Sequence, residues 1–87
     1  MIRIAVVEDE PIISEQIFEK ISSILNNHKV QYKILVFDQG TELIDSFAQY
    51  EYELVLLDID MPCMNGIETA KKIRSFNEST IIIFVTN

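Results

Sequence analysis

Glu8 and Asp9 stand side by side, Asp58 and Asp60 flank a single residue, and Thr86 precedes the last residue of an 87-residue chain. Carboxylates and hydroxyls are the hard oxygen donors of cation and phosphoryl chemistry, so these residues carry weight only if the fold gathers them. Two carboxylates about 4 Å apart repel by roughly 4 kcal/mol at an effective dielectric of about 20, so three in one cleft need a cation or a proton. With no histidine or cysteine among the donors, the ion favoured is Mg²⁺, which keeps several waters and leaves places for phosphate oxygens. A carboxylate screened by that metal can attack a phosphoryl group. Asp58 is the best nucleophile candidate, because the loop after it can lend a backbone carbonyl, that of Asp60, to the metal. Thr86 offers a hydroxyl to a phosphoryl oxygen.

Each group of donors follows an apolar run. Leu54 to Leu57 is apolar at every position and too short for a helix, which reads as a strand buried on both faces of a parallel sheet. Asp58 then sits where the strand meets water, and in open α/β sheets the crevice beyond the strands' carboxyl ends is where ligands bind. Met61-Pro62 breaks the strand, and Asn65-Gly66 turns the chain toward the next helix. Ile2 to Val7 (IRIAVV) reads as a central strand that delivers Glu8, Asp9 and Glu10. Pro11 suits a first helical position, and Ile13, Ile17, Ile21, Ile24 and Leu25 form one apolar stripe that ends at Asn26-Asn27. Gln31 to Phe37 reads as an edge strand and Asp38-Gln39-Gly40 as a loop. A helix follows from about Thr41 to Gln49, capped by Thr41 or Gly40, with Leu43, Ile44, Phe47 and Ala48 on one side. A third helix covers Gly66 to Ser75, with Ile67, Ala70 and Ile73 inward and Lys71, Lys72 and Arg74 outward. Ile81 to Val85 is the fourth strand. Strand and helix alternate without internal repeats, so right-handed crossovers give an α/β, doubly wound parallel sheet.

Composition limits the function classes. With 48% hydrophobic and 24% charged residues, the chain makes one small globular domain rather than a disordered segment. Its apolar runs fall far short of the ~20 residues that span a bilayer, and the N-terminus has no signal-like pattern, so a cytoplasmic protein is expected. The single cysteine, Cys63, agrees with a reducing compartment. A net charge of −7 repels phosphate backbones and disfavours direct nucleic-acid binding.

The acidic pair Glu8-Asp9 after strand one, the loop DIDMPCMNG after strand three and Thr86 after strand four resemble the response-regulator receiver domain of two-component signalling. The resemblance extends over all 87 residues. It implies a flavodoxin-like receiver fold with strand order 2-1-3-4. It implies Asp58 as the phosphorylation site, charged by a histidine kinase or a small acyl phosphate, with only slow autodephosphorylation in place of enzyme turnover. It also implies Mg²⁺ held by Asp9, Asp58 and the Asp60 carbonyl, Glu8 assisting through water, and Thr86 as the switch hydroxyl. The family's fourth helix, fifth strand with its lysine, and fifth helix have no counterpart before Asn87, so residues 1–87 are expected to be the N-terminal portion of the domain. The segments MNGIE and FVTN are similar to regulators with a LytTR-type DNA-binding output domain, which points to transcription regulation through a domain outside this sequence.

Plainer readings stand beside these. Glu8 to Glu10 suit a helix N-terminus, Asp58 suits a cap, Thr86 suits a strand, and Cys63 and His28 are incidental surface residues. Asp58-x-Asp60 is also similar to phosphatases that form an aspartyl-phosphate, and a receiver-like module that works through its surfaces without phosphate is a further alternative. Finally, strand four is apolar on both alternating faces, as in strands covered on both sides and paired on both edges. Without a neighbour for its outer edge, a dimer or strand-exchanged assembly through Ile81 to Asn87 is expected.

Overall fold

The computed structural model describes residues 1–61 and 64–85. Four strands alternate with three helices: β1 (Ile2–Val7), α1 (Pro11–Asn27), β2 (Tyr32–Phe37), α2 (Gly40–Ser46), β3 (Leu54–Asp58), α3 (Gly66–Phe76) and β4 (Ile81–Val85). The strands are parallel and lie in the order β2-β1-β3-β4, as expected for the doubly wound receiver arrangement. From β1 the chain steps one way to β2 and later returns past β1 to β3. The topological switch point therefore lies between β1 and β3, where such sheets bind ligands.

Period-two alternation sorts the strand residues onto two faces. Ala5, Val7, Val55 and Leu57 join Leu43 of α2, Ile73 of α3, Tyr52 and Met61 in the main core. Tyr52 also makes edge-to-face contacts with Phe37 at 6.4 Å and Phe47 at 5.1 Å, which tie β2 and the end of α2 to the same core. Ile4 and Val6 are buried on the opposite face, the one α1 packs against. Among the described residues no helix is long and apolar enough to cross a membrane.

The structure corrects several boundaries and orientations. α2 stops at Ser46, and its N-cap is Gln39, with no side-chain cap, rather than Thr41 or Gly40. Gly40 is instead buried against Thr69 of α3, so it belongs to the packing between the two helices. Ile24 of the α1 stripe is 58% exposed and Ile67 of α3 is 41% exposed, because each sits at the margin of its helix's inward face. Thr69 takes the buried place assigned to Ile67. β4 also differs from a strand covered on both sides, since Ile81, Ile83 and Phe84 are exposed. It pairs with β3 along one edge and, among the described residues, with nothing along the other.

Candidate functional site

The register of the sheet brings the acidic residues together. Val7 of β1 stands opposite Leu57 of β3, so the residues that follow, Glu8 and Asp58, leave neighbouring strands at the same level. Glu8 extends the β1–β2 ladder one step, its amide donating to the Phe37 carbonyl at 3.0 Å, which fixes its backbone at the rim. Both side chains are buried, Glu8 at 3% exposure and Asp58 at 6%, while Asp9 is exposed. One carboxylate oxygen from each of Glu8, Asp9 and Asp58 lies within 4.8 Å of the others. Two buried acids and one at the mouth, all offering oxygen, match the hard-donor set suited to a divalent cation that keeps part of its water shell.

The electrostatic cost of this cluster falls on Glu8. Burial pushes its carboxyl up to about 7 from an ordinary 4.5, and the charge of Asp58 and hydrogen bonds shared with Asp9 and Asp58 push the same way. The Glu10 amide, which donates to Glu8 Oε2 at 3.2 Å, opposes the shift. Without a cation Glu8 thus holds its proton up to near neutral pH, chiefly because its carboxylate is buried away from water and secondarily because Asp58 lies beside it.

The loop after β3 is fixed at both ends. The Asp60 amide donates to Asp58 Oδ1 at 3.2 Å, which orients the carboxylate from its own chain. Met61 buries its side chain in the core, and the Gly66 amide donates to the Ile59 carbonyl at 3.0 Å. A Cβ on Gly66 would collide with the Asp58 carbonyl oxygen and lie 2.9 Å from Ile59 Cα. Its φ is not positive, so close approach of α3 to the end of β3, rather than turn geometry, is what requires glycine there. Asn65 then caps α3 reciprocally: its Oδ1 accepts from the Glu68 amide at 2.9 Å while Glu68 Oε1 accepts from the Asn65 amide at 3.3 Å.

Glu8, Asp9 and Asp58 are thus brought together as the sequence suggested, and Asp60 reaches Asp58 through its amide. Thr86 lies outside the described residues, as do Pro62, Cys63 and Asn87; Val85, just before Thr86, pairs with Asp58 across β3–β4. Asp58 does not cap α3, because Asn65 does. The sequence reading missed that capping box although its signal, asparagine with glutamate three residues later, was legible. It also missed Thr69, whose hydroxyl donates to the Asn65 carbonyl at 2.9 Å and anchors the start of α3.

Residues 4–87 match the response regulator receiver domain model. The chain belongs to that family: it is a receiver domain of the two-component response regulators. Its backbone superimposes on the response regulator TrrA of Thermotoga maritima, solved in complex with Mg²⁺-BeF, with a TM-score of 0.85 and 37% identity over 99% of this chain and 70% of that one. TrrA has also been solved in complex with the histidine kinase ThkA. The transcriptional regulatory protein YkoG of Bacillus subtilis is 33% identical over 95% of this chain and 34% of its own length. The sensory transduction protein LytT of Oceanobacillus iheyensis is 44% identical over 56% of this chain and 20% of its own. The chain thus spans about a third of the length of YkoG and a fifth of that of LytT.

Proposed function

We propose that Asp58 is the phosphoryl acceptor of this receiver domain and that Mg²⁺ is held by Asp9, Asp58 and the Asp60 backbone carbonyl, with Glu8 assisting through a water. The observation that carries the reading is the convergence of Glu8, Asp9 and Asp58 within 4.8 Å at the switch point of the sheet. Bound there, Mg²⁺ would screen the carboxylates and neutralise charge on the incoming phosphoryl oxygens. The chain's own part is positional. The Asp60 amide on Oδ1 sets the rotation of the Asp58 carboxylate, Gly66 keeps α3 close beneath it, and exposed Asp9 leaves the mouth open to a donor. An Asp58 oxygen attacks phosphorus, the bond from phosphorus to the donor's nitrogen or acyl oxygen breaks with its electron pair staying on the donor, and an aspartyl phosphate results. The capture of TrrA with a histidine kinase supports such a kinase as the natural donor.

In the same reading Thr86, next along the chain after Val85, is the hydroxyl drawn to the phosphoryl group, which biases the surface beyond β4. The domain slowly hydrolyses its own aspartyl phosphate and turns over no separate substrate. It works in the cytoplasm and switches an output that regulates transcription, in keeping with the name of the transcriptional regulatory protein YkoG. Two copies associate, or exchange strands, through Ile81 to Asn87. The central test is the mass of the protein after acetyl phosphate with Mg²⁺. A single phosphoryl adduct is expected, absent in Asp58→Asn and in EDTA; labelling of Asp58→Asn at the wild-type rate would overturn the assignment.

A further inference from the structure

Asn65 is the only asparagine of the chain followed by glycine. That pair carries a reaction of its own, because the nitrogen of Gly66 has no neighbouring Cβ to shield it from the Asn65 side chain. The Gly66 nitrogen gives its proton to hydroxide and bonds to the side-chain carbonyl carbon of Asn65. The bond from that carbon to the side-chain nitrogen breaks, ammonia leaves, and a succinimide remains. Water then opens the ring. Cleavage at the side-chain carbonyl leaves aspartate at position 65, whereas cleavage at the backbone carbonyl leaves isoaspartate, whose main chain runs through an additional methylene.

The folded chain holds this peptide unit against the reaction at both ends. The Gly66 amide donates to the Ile59 carbonyl at 3.0 Å, so its nitrogen keeps its proton and its place. The Asn65 carbonyl accepts from the Thr69 amide at 3.0 Å and from the Thr69 hydroxyl at 2.9 Å. Asn65 itself stands at φ −74° and ψ 172°, with Oδ1 accepting from the Glu68 amide at 2.9 Å. Closing the ring rotates this peptide plane and withdraws Oδ1 from Glu68, so every one of these bonds must open first. Gly66 is also buried beneath the backbone of Asp58 and Ile59, out of reach of hydroxide.

We propose that Asn65-Gly66 is a deamidation site gated by local opening of the start of α3, and that its isoaspartate product disables the domain. The aspartate product is harmless, since a carboxylate caps a helix as well as an amide does and suits the positive end of the helix dipole. Isoaspartate is not, because its methylene lengthens the chain next to Gly66, where even a Cβ would collide with the backbone of Asp58. That consequence rests on Asp58 as the phosphoryl acceptor; the gating of the reaction does not.

The test is incubation of the 87-residue protein at mildly alkaline pH, in buffer and in denaturing urea, with the Asn65 peptide followed by mass and by chromatography that separates aspartate from isoaspartate. Deamidation should be at least roughly tenfold slower in buffer, each tenfold measuring about 1.4 kcal/mol of local opening. Glu68→Ala removes the acceptor of the Asn65 amide from an exposed position, and should speed the reaction roughly threefold or more in buffer while leaving the rate in urea unchanged. Acetyl phosphate labelling of Asn65→Asp should stay within about twofold of wild type, and the purified isoaspartate form should label at least roughly fivefold more slowly. Equal rates in buffer and urea, or a Glu68→Ala rate in buffer equal to wild type, would overturn the gate. Wild-type labelling of the isoaspartate form would overturn its consequence. If unmodified protein takes no label, the reading of Asp58 fails, and the two deamidation rates still decide the gate.

Discussion

Glu8 and Asp58 leave two adjacent parallel strands at the same level, set there by the Val7–Leu57 pair, and both carboxylates are buried. That single register relation turns two acidic strand ends, each unremarkable by itself, into a site whose charge must be balanced. A shift of one residue would send one of the two side chains to the opposite face of the sheet.

The first consequence is a pH dependence. The Glu8 carboxyl is raised from 4.5 to about 7, so between those values the folded state binds more protons than the unfolded chain. The linkage slope is then negative: the stabilising contribution is fully present below pH 4.5 and is lost as pH rises through about 7. Each pKa unit is worth about 1.4 kcal/mol, so a loss of about 1 to 3 kcal/mol is expected in EDTA, or roughly 5 °C or more in Tm. Thermal melts at intervals from pH 5 to pH 8 measure it. Glu8→Gln should flatten the profile, and a wild-type profile already flat would refute the assignment.

Mg²⁺ should reverse that loss. A cation bound only by the native cluster stabilises by RT ln(1 + [Mg²⁺]/Kd), about 2.7 kcal/mol at a hundredfold excess over Kd. Melting temperature should therefore rise with millimolar MgCl₂ and not with NaCl of equal ionic strength. Asp9→Ala should remove most of the rise while costing little stability in EDTA, because Asp9 is exposed. Equal responses to the two salts would mean that the cluster does not hold the metal.

Two glycines make a prediction about positioning. Gly66→Ala places a methyl group against the backbone of Asp58 and Ile59, which cannot rotate away. Overpacking of this kind costs roughly 1 to 3 kcal/mol, and because the strain falls on Asp58 itself, acetyl phosphate labelling should slow beyond what stability explains. Gly40→Ala meets the Thr69 side chain instead, so Thr69→Ala in the same chain should recover part of its cost, as coupled neighbours do in a double-mutant cycle. Urea melts of the two single variants and the double variant decide this, with additive costs as the contrary result.

Much of this was legible in the sequence because strand polarity changes abruptly at Glu8 and Asp58, and an apolar run ending in acid marks a strand that meets solvent. Topology followed from the alternation of elements. What was not legible depends on contacts between segments distant in the chain. Gly40 reads as a loop residue until Thr69 is seen against it, and Gly66 reads as a turn residue until α3 is seen pressed on Asp58. Ile67 and Thr69 exchange roles because apolar spacing alone does not tell the buried centre of a helix face from its margin. The reach of Asp9, Glu8 and Asp58 to one point was an inference from strand order, and only the register makes it a distance.

The edge of the sheet yields the last prediction. β4 pairs with β3 by Leu54–Ile81 through Asp58–Val85, and among the described residues its other edge carries no strand, while Ile81 and Ile83 on one face and Phe84 on the other stand exposed. An apolar strand with an open edge is a template for pairing with another chain, and β4 carries none of the lysines or prolines that blunt such edges. Two copies related by a twofold axis perpendicular to the sheet would pair their β4 strands antiparallel and close both edges at once. Burying each outward side chain contributes roughly 1.5 to 3 kcal/mol and works against the entropic cost of association, so a concentration-dependent dimer is expected, to be sought from about micromolar to about millimolar protein. Sedimentation velocity across that range should show the transition. Ile83→Lys, which places a charge on the open edge while leaving the β3 pairing intact, should hold the protein monomeric with an unchanged circular dichroism spectrum. A wild-type monomer at every concentration, with β4 amides exchanging fast, would contradict the edge-to-edge assembly.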